Sequence, residues 1–122
     1  MPNESPRAKD QKTSISPMLS VRNGAKAVEF YKAAFGAGEL FRIEDERGAV
    51  VARLSVGESE FWVADESPEH KNFSPESLGA EFRGGATVRM VMVVADPDAA
   101  FERAVKAGAT VVWPVALSFS SP

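Results

Sequence analysis

The sequence predicts an α+β fold built from paired βαβββ modules, the second of them incomplete, and three observations carry this prediction. The segments Met18–Ala37 and Met90–Ala109 align without a gap, and each runs from an apolar stretch through a polar break into a helical pattern ending at Gly-Ala. Residues 39–64 alternate polar and apolar side chains between turn signals, as paired strands do. After the second segment only residues 110–122 remain, which is too short for three more strands.

The first strand and helix follow from local signals. Ile15–Val21 is predicted to be a strand, since Pro17 is tolerated near the start of a strand or on an edge. Asn23 is a suitable N-cap, and the helix Ala25–Phe35 carries an apolar stripe at helical spacing. Gly36 is predicted to end this helix, because glycine readily adopts the left-handed conformation that follows a helix.

Three more strands complete the first module. Glu39–Glu44 and Ala49–Val56 are separated by the turn sequence Asp45-Glu46-Arg47-Gly48, which predicts a hairpin. A second turn at Gly57-Glu58-Ser59 leads into the strand Glu60–Ala64, and we expect Glu58 and Glu60 to be solvated charges at strand ends.

The rest of the chain is predicted to hold a linker and a partial second module. Residues 1–14 are expected to be a disordered tail, and residues 15–122 a single domain whose first module spans 15–64. A linker loop follows over 65–85 and is expected to pack in places through Phe73, Leu78 and Phe82. The partial second module 86–122 is predicted to contain a strand Thr87–Val94, a helix Asp98–Ala107 capped by Asp96, and a strand Thr110–Trp113.

Composition excludes several classes of function. The chain has 122 residues and a net charge of −3, and its basic residues form no cluster that would indicate nucleic-acid binding. It has no cysteine, so disulfides and thiolate chemistry are excluded. No stretch reaches the about 20 apolar residues of a membrane span, and the N-terminus lacks the apolar core of a secretory signal. A cytoplasmic location is the resulting expectation.

Three segments resemble one protein family. Ile15–Gly38 (ISPMLSVRNGAKAVEFYKAAFGAG), Phe61–Glu66 (FWVADE) and Val93–Gly108 (VVADPDAAFERAVKAG) are similar to the vicinal oxygen chelate superfamily of glyoxalase, bleomycin-resistance and dioxygenase proteins, in particular its PhnB-like branch. The resemblance implies two tandem βαβββ modules. Members normally continue with two further strands, which this sequence lacks, so it resembles a C-terminally truncated member. A ferredoxin-like βαββαβ sandwich is the alternative fold.

The resemblance also implies where a metal ion would bind. Carried over by position, the family's ligand sites on the first, fourth and fifth strands fall at Ser16, Trp62 and Arg89, and the eighth strand is missing. Serine is a poor ligand, tryptophan cannot bind a metal, and arginine is a fixed cation. We therefore expect no metal and no other cofactor. His70, the only histidine, is expected to be a solvated loop residue.

A cleft without a metal can still bind a small molecule. We predict Met18, Arg53, Trp62 and Arg89 as ligand-binding residues, because a tryptophan and a methionine beside arginines suit a planar or anionic organic molecule. Arg42 is expected to add charge from a neighbouring strand. The plainer alternative is that Met18 and Trp62 fill the core and Arg89 pairs with an acid.

Three functions remain open. We favour a metal-free small-molecule-binding protein of the resistance type. The alternatives are a metal-dependent lyase, isomerase or dioxygenase with displaced ligands, and a truncated remnant without activity. The incomplete second module would leave a sheet edge exposed, and we favour a homodimer with exchanged strands or modules as the way to cover it. The alternatives are that the last eight residues are not native to the fold, or that the tail and the long loop cover the gap. Neither nucleic acid nor a membrane is expected as a partner.

Overall fold

The computed structural model describes residues 12–78 and 88–112 and has an α+β architecture. Four strands and two helices form it: β1 Met18–Val21, α1 Gly24–Phe35, β2 Gly38–Glu44, β3 Val50–Val56, β4 Ser59–Asp65 and α2 Pro97–Lys106. The segment after β4 contains two short 3-10 turns, Pro68–His70 and Pro75–Leu78. The predicted fold class is thus confirmed. In the part of the chain that the structure describes, no helix is long and apolar enough to cross a membrane.

The four strands form one sheet in the order β1-β4-β3-β2. The β2–β3 and β3–β4 pairs are antiparallel hairpins, and β1 lies parallel to β4 at one edge. The first βαβββ module is therefore present as predicted. Strand β1 begins at Met18, three residues later than expected, because Pro17 has no amide hydrogen with which to extend the ladder. The Pro17 carbonyl instead accepts a hydrogen bond from the Trp62 amide, at 2.8 Å.

Local chemistry sets the ends of α1. The Asn23 side chain accepts from the Lys26 amide at 3.1 Å, which confirms the predicted N-cap. Gly36 adopts a left-handed conformation with φ 69° and donates its N–H to the Lys32 carbonyl. A side chain at Gly36 would be strained in this conformation, which explains why glycine ends the helix there.

One face of the sheet packs against α1 and forms the core. Val28 of the helix and Val50, Leu54 and Val63 of the strands are all fully buried. Tyr31 packs edge-on against Phe61, with 5.3 Å between ring centroids. Alternate residues of a strand point to opposite faces, so only every second residue of each strand belongs to this core. The side chains between them lie on the opposite face of the sheet.

Asp65 joins the start of α1 to the start of β3. Its carboxylate accepts hydrogen bonds from the Gly24 amide at 2.8 Å and from the Val50 amide at 2.7 Å. A Cβ atom at Gly24 would lie 2.7 Å from Asp65 Oδ2, so this close approach requires glycine. The carboxylate at the end of β4 is therefore a structural cap.

Glu66 organises the segment that follows β4. Its carboxylate accepts from the Ser74 amide at 2.8 Å and from the Ser77 hydroxyl at 3.0 Å, and Ser74 is fully buried. Arg22 also donates to Ser77 and lies 3.9 Å from Glu66. Residues 66–78 are thus tied to the end of β4 by hydrogen bonds rather than by the apolar side chains through which the linker was expected to pack. Phe73 and Leu78 are partly exposed, and Phe82 lies outside the described residues.

The second module matches the prediction in its helix but not in its strands. Asp96 caps α2 by accepting from the Ala99 amide, and Gly108 follows the helix with a positive φ, as Gly36 does in the first copy. Residues 88–94, however, form no strand, and neither do residues 110–112. The predicted strand Thr87–Val94 is wrong over these residues because a run of apolar side chains does not supply the neighbouring strand that a ladder requires. Thr87 itself, Trp113 and the tail to Pro122 lie outside the described residues.

Candidate functional site

The sheet face opposite α1, called here the open face, carries side chains in rows that run across the strands. Phe41 pairs with Arg53, Arg53 with Trp62, and Trp62 with Met18, so one row crosses all four strands. We name this the aromatic row. Residues directly opposite each other on paired strands share a face and lie close together. The register therefore places two aromatic rings, one guanidinium and one thioether side by side.

Arg53 lies at the centre of the aromatic row, between its two rings. Its guanidinium carbon is 5.8 Å from the centroid of the Trp62 ring, within the range of a cation–π interaction. The Phe41 and Trp62 rings approach each other edge-to-face with 6.0 Å between centroids, although their strands are separated by β3. The two rings meet above β3 at an angle of 67° and form an aromatic cluster beside a fixed positive charge.

Glu60 supplies the opposite charge. Its Oε1 atom lies 3.1 Å from Arg53 Nε, and both side chains are about two-fifths exposed. The Nε atom itself is shielded from solvent and has no hydrogen bond of good geometry. The carboxylate therefore balances the charge of the guanidinium without satisfying this donor. The open face is close to neutral at its centre and holds one poorly bonded polar atom.

A second row, beside the aromatic row, is made of smaller groups. It consists of paired residues from all four strands, namely Ile43, Val51, Ala64 and Ser20. Ile43 is 54% exposed and Met18 equally so, whereas the residues of the helix-facing side of β3 are fully buried. The open face is therefore an apolar surface that the described residues leave uncovered. An exposed apolar surface of this kind marks a binding site or an interface.

The structure brings together three of the four predicted ligand-binding residues. Met18, Arg53 and Trp62 lie in the aromatic row, and none of them is buried in the core, so the plainer alternative for Met18 and Trp62 is wrong. Arg89 lies in the exposed segment 88–94, and the fifth strand that would have placed it on the sheet is not formed there. Its contribution to binding stays a prediction.

Arg42 does not add charge to the open face. It pairs with the buried Ala52, which places it on the helix side of the sheet, and its guanidinium lies 3.6 Å from Glu39. Glu39 in turn forms a 2.9 Å ion pair with Lys32 of α1. The expectation for Arg42 is wrong because β2 is irregular between Glu39 and Phe41, and this irregularity sets which residues of the strand face each side.

No candidate metal centre emerges from the described residues. Ser16 precedes β1, Trp62 lies among aromatic and cationic groups, and no group of three His, Asp or Glu side chains comes together within 12–78 and 88–112. His70 is exposed and its Nδ1 atom lies 2.8 Å from the Ser67 hydroxyl, in agreement with a loop role. The absence of a family-type metal site stays a prediction, because it depends on which residues occupy the ligand positions carried over from the family, namely Ser16, Trp62 and Arg89.

Two shallow hollows lie away from the open face. One, of about 460 Å³, lies between the helices and is lined by Ala33, Arg103 and neighbouring residues of α2. Arg103 crosses this gap and donates from Nε to the Ala33 carbonyl at 2.8 Å, which links α2 to the end of α1. The other, of about 530 Å³, flanks the start of α1 near Arg22 and Tyr31. Neither holds an acid–base pair or a nucleophile aligned with a base.

One residue of the open face, Phe41, is absent from the residues that the sequence places there, because the sequence predicts it only as part of a strand. Glu60 is different: its spacing of two residues from Trp62 predicts the same face, with Glu60 expected as a solvated strand-end charge. The signal for Phe41 is the hairpin register: once the turns at 45–48 and 57–58 are fixed, Phe41 falls opposite Arg53 and beside Trp62.

Comparison with known proteins gives a consistent assignment. The family model described as Glyoxalase/Bleomycin resistance protein/Dioxygenase superfamily matches residues 15–116. An X-ray structure of an Arabidopsis thaliana gene product is similar with a TM-score of 0.60 and 28% identity, over 87% of this chain and 80% of that one. The crystal structure of TioX from Micromonospora sp. ML1 is similar with a TM-score of 0.55 and 26% identity, over 84% and 75% of the two chains.

The curated relatives are longer than this chain. An uncharacterised protein of Mycobacterium bovis is 38% identical over 103 residues, which cover 81% of this chain and 64% of the relative. An uncharacterised protein of Mycobacterium tuberculosis H37Rv is 38% identical over the same length, with 58% of the relative covered. The chain therefore spans about three-fifths of the curated relatives it matches.

Proposed function

Because the chain belongs to the glyoxalase/bleomycin resistance protein/dioxygenase superfamily, we propose that it binds a small planar organic molecule on the open face, without a metal ion. The observation that carries this proposal is the aromatic row, in which the Trp62 and Phe41 rings meet beside the Arg53 guanidinium. The helix sequence VEFYKAAFGA at residues 28–37 further supports the PhnB-like branch of the superfamily as the place of this chain.

The surface chemistry favours binding by stacking. A planar ligand lying on the open face would cover the Trp62 ring and the exposed Met18 thioether, and removal of this apolar area from water drives association. A tryptophan in a row of partly exposed side chains gives little to the core, which is formed on the other face by residues such as Val28 and Leu54. Stacking on Trp62 is thus the main expected source of affinity.

A thermal-shift screen of planar aromatic compounds tests the proposal. We expect hits to raise the melting temperature in proportion to the logarithm of ligand concentration, since binding to the folded state alone stabilises it. The change Trp62→Ala should weaken each hit by about 10- to 100-fold, because loss of an aromatic stacking partner costs about 1–3 kcal/mol. Trp62→Phe, which keeps a ring, is the matched control. A broad screen without shifts, or hits indifferent to Trp62→Ala, would contradict the proposal.

Metal-dependent chemistry of the superfamily type is the second candidate, and the family membership is what favours it. A lyase, isomerase or dioxygenase needs a cation with open coordination positions to polarise a substrate oxygen. Elemental analysis of the purified protein separates the two candidates: a stoichiometric divalent transition metal would overturn the metal-free proposal. The third candidate, a remnant without activity, requires that neither ligand nor metal binds. A cytoplasmic location stays a prediction.

We also propose that the chain forms a homodimer with exchanged strands. Residues 88–94 support this, because Val91 and Val93 are 86% and 90% exposed although the segment is an apolar run typical of a buried strand. A second copy that offered a sheet edge would pair its backbone groups and bury these valines.

A further inference from the structure

Arg53 and Glu60 form an ion pair at the centre of the open face, and the Nε atom of Arg53 is incompletely hydrogen-bonded. Arg53 Nε is shielded from solvent and lacks a hydrogen bond of good geometry, although Glu60 Oε1 lies only 3.1 Å away. A shielded donor without a well-aligned acceptor is destabilising. The Glu60 carboxylate therefore attracts the guanidinium by its charge, while the Nε–H donor of Arg53 has no well-aligned acceptor.

Glu60 is a partner that can be replaced at little cost. Its side chain is 43% exposed, so the carboxylate can rotate into water and keep its solvation. An ion pair with this exposure contributes little to stability. Arg53, by contrast, is confined by the Trp62 ring at 5.8 Å and by its position between β2 and β4. Of the two charges, the arginine has an additional contact with the Trp62 ring, and the carboxylate is the one that water can solvate in its place.

A ligand that covers the open face changes how well the charge of Arg53 is solvated and paired. A planar ligand stacked on Trp62 would exclude water from the guanidinium, and an incompletely bonded cation is costly to desolvate. A neutral ligand adds no acceptor of matching charge and shape. A ligand carboxylate lying in the plane of the guanidinium would instead form two charge-assisted hydrogen bonds, one of them to the unsatisfied Nε–H.

We propose that Arg53 and Glu60 together select planar aromatic acids. The anionic group of the ligand takes the place of Glu60 on Arg53, and Glu60 acts as an internal competitor that weakens the binding of every acid. This inference rests on the proposed binding function. It adds the charge class of the ligand and identifies Glu60 as a residue that determines specificity.

Two matched probes test the inference, namely 2-naphthoate and 2-naphthamide, which share a ring system and differ in charge. We expect isothermal titration of the wild-type chain to show tighter binding of the acid, by about tenfold or more, the range for a charge-assisted hydrogen bond. Glu60→Gln should tighten naphthoate by about two- to fivefold, the range for loss of an exposed ion pair, and leave naphthamide unchanged. Arg53→Met should reduce naphthoate binding to the level of naphthamide, with Arg53→Lys intermediate.

Glu58→Gln is the matched control. Glu58 lies in the exposed turn before β4, so this change removes the same charge without touching the pair, and neither probe should respond to it. Urea midpoints confirm that each variant is folded. If Glu60→Gln leaves naphthoate binding unchanged or tightens both probes alike, the inference is wrong even where Trp62-dependent binding stands. If no planar compound of either charge binds the wild type, the proposed function itself fails.

Discussion

The carboxylate of Asp65 is expected to be a major determinant of stability. It accepts hydrogen bonds from the amides of Gly24 and Val50, at 2.8 and 2.7 Å, and thereby joins the first turn of α1 to the start of β3. Both residues are buried, Val50 completely. In Asp65→Ala these two donors lose their acceptor, and each unsatisfied buried group costs about 1–3 kcal/mol. We therefore expect Asp65→Ala to lower the free energy of unfolding by about 2–5 kcal/mol.

Urea denaturation followed by circular dichroism measures this loss as a shift of the midpoint at constant slope. Asp65→Asn should be milder, because the amide oxygen keeps one acceptor while its NH₂ group faces a donor. Asp45→Ala is the matched control: Asp45 also accepts from two backbone amides, those of Arg47 and Ala49, but in an exposed turn where water can replace it. Its loss should stay below about 1 kcal/mol. Equal losses for Asp65→Ala and Asp45→Ala would refute the reasoning that burial of the donors sets the cost.

Two further expectations concern pH and assembly. The Ser74 amide and the Ser77 hydroxyl hold the pKa of Glu66 below its ordinary value, so its contribution to stability is present above the unfolded-state pKa and is lost as the pH falls through the lower folded-state pKa. Glu66→Gln should therefore make the loss of thermal stability below about pH 5 shallower, and an unchanged acid limb would contradict the linkage. For assembly, light scattering after size exclusion should give twice the 13.1 kDa of one chain. Val91→Lys should lower the measured mass toward that of the monomer, whereas Val112→Lys, outside the segment 88–94, should leave it unchanged. A wild-type monomer at every concentration would refute the dimer.

Much of the first module could be predicted because its signals are local. The Asn23 cap, the left-handed Gly36 and the turn at 45–48 each act within a few residues of the backbone they shape. The helix α1 begins at Gly24, one residue before the predicted start, and ends at Phe35 as predicted. Such signals are readable in sequence because a cap or a turn needs only its own neighbours to form its hydrogen bonds.

Signals that need a distant partner were less informative. Residues 88–94 form an apolar run interrupted only by Arg89, which is typical of a buried strand. The described part of the chain nevertheless offers this segment no neighbouring strand, whereas β3 has strands on both sides. The irregularity in β2 likewise moved Arg42 to the helix side, which no count of alternate residues along the strand could reveal.

By itself, the sequence determined the α+β class, the βαβββ order and the choice of Met18, Arg53 and Trp62 as candidates. Only the tertiary structure decided that these three residues lie in one row, that Phe41 completes it and that Glu60 pairs with Arg53. The physical reason is that composition and periodicity fix which side chains a strand presents, whereas strand register fixes which of them meet. Register depends on hydrogen bonds between strands, and in this sheet it brings residues from all four strands into one row.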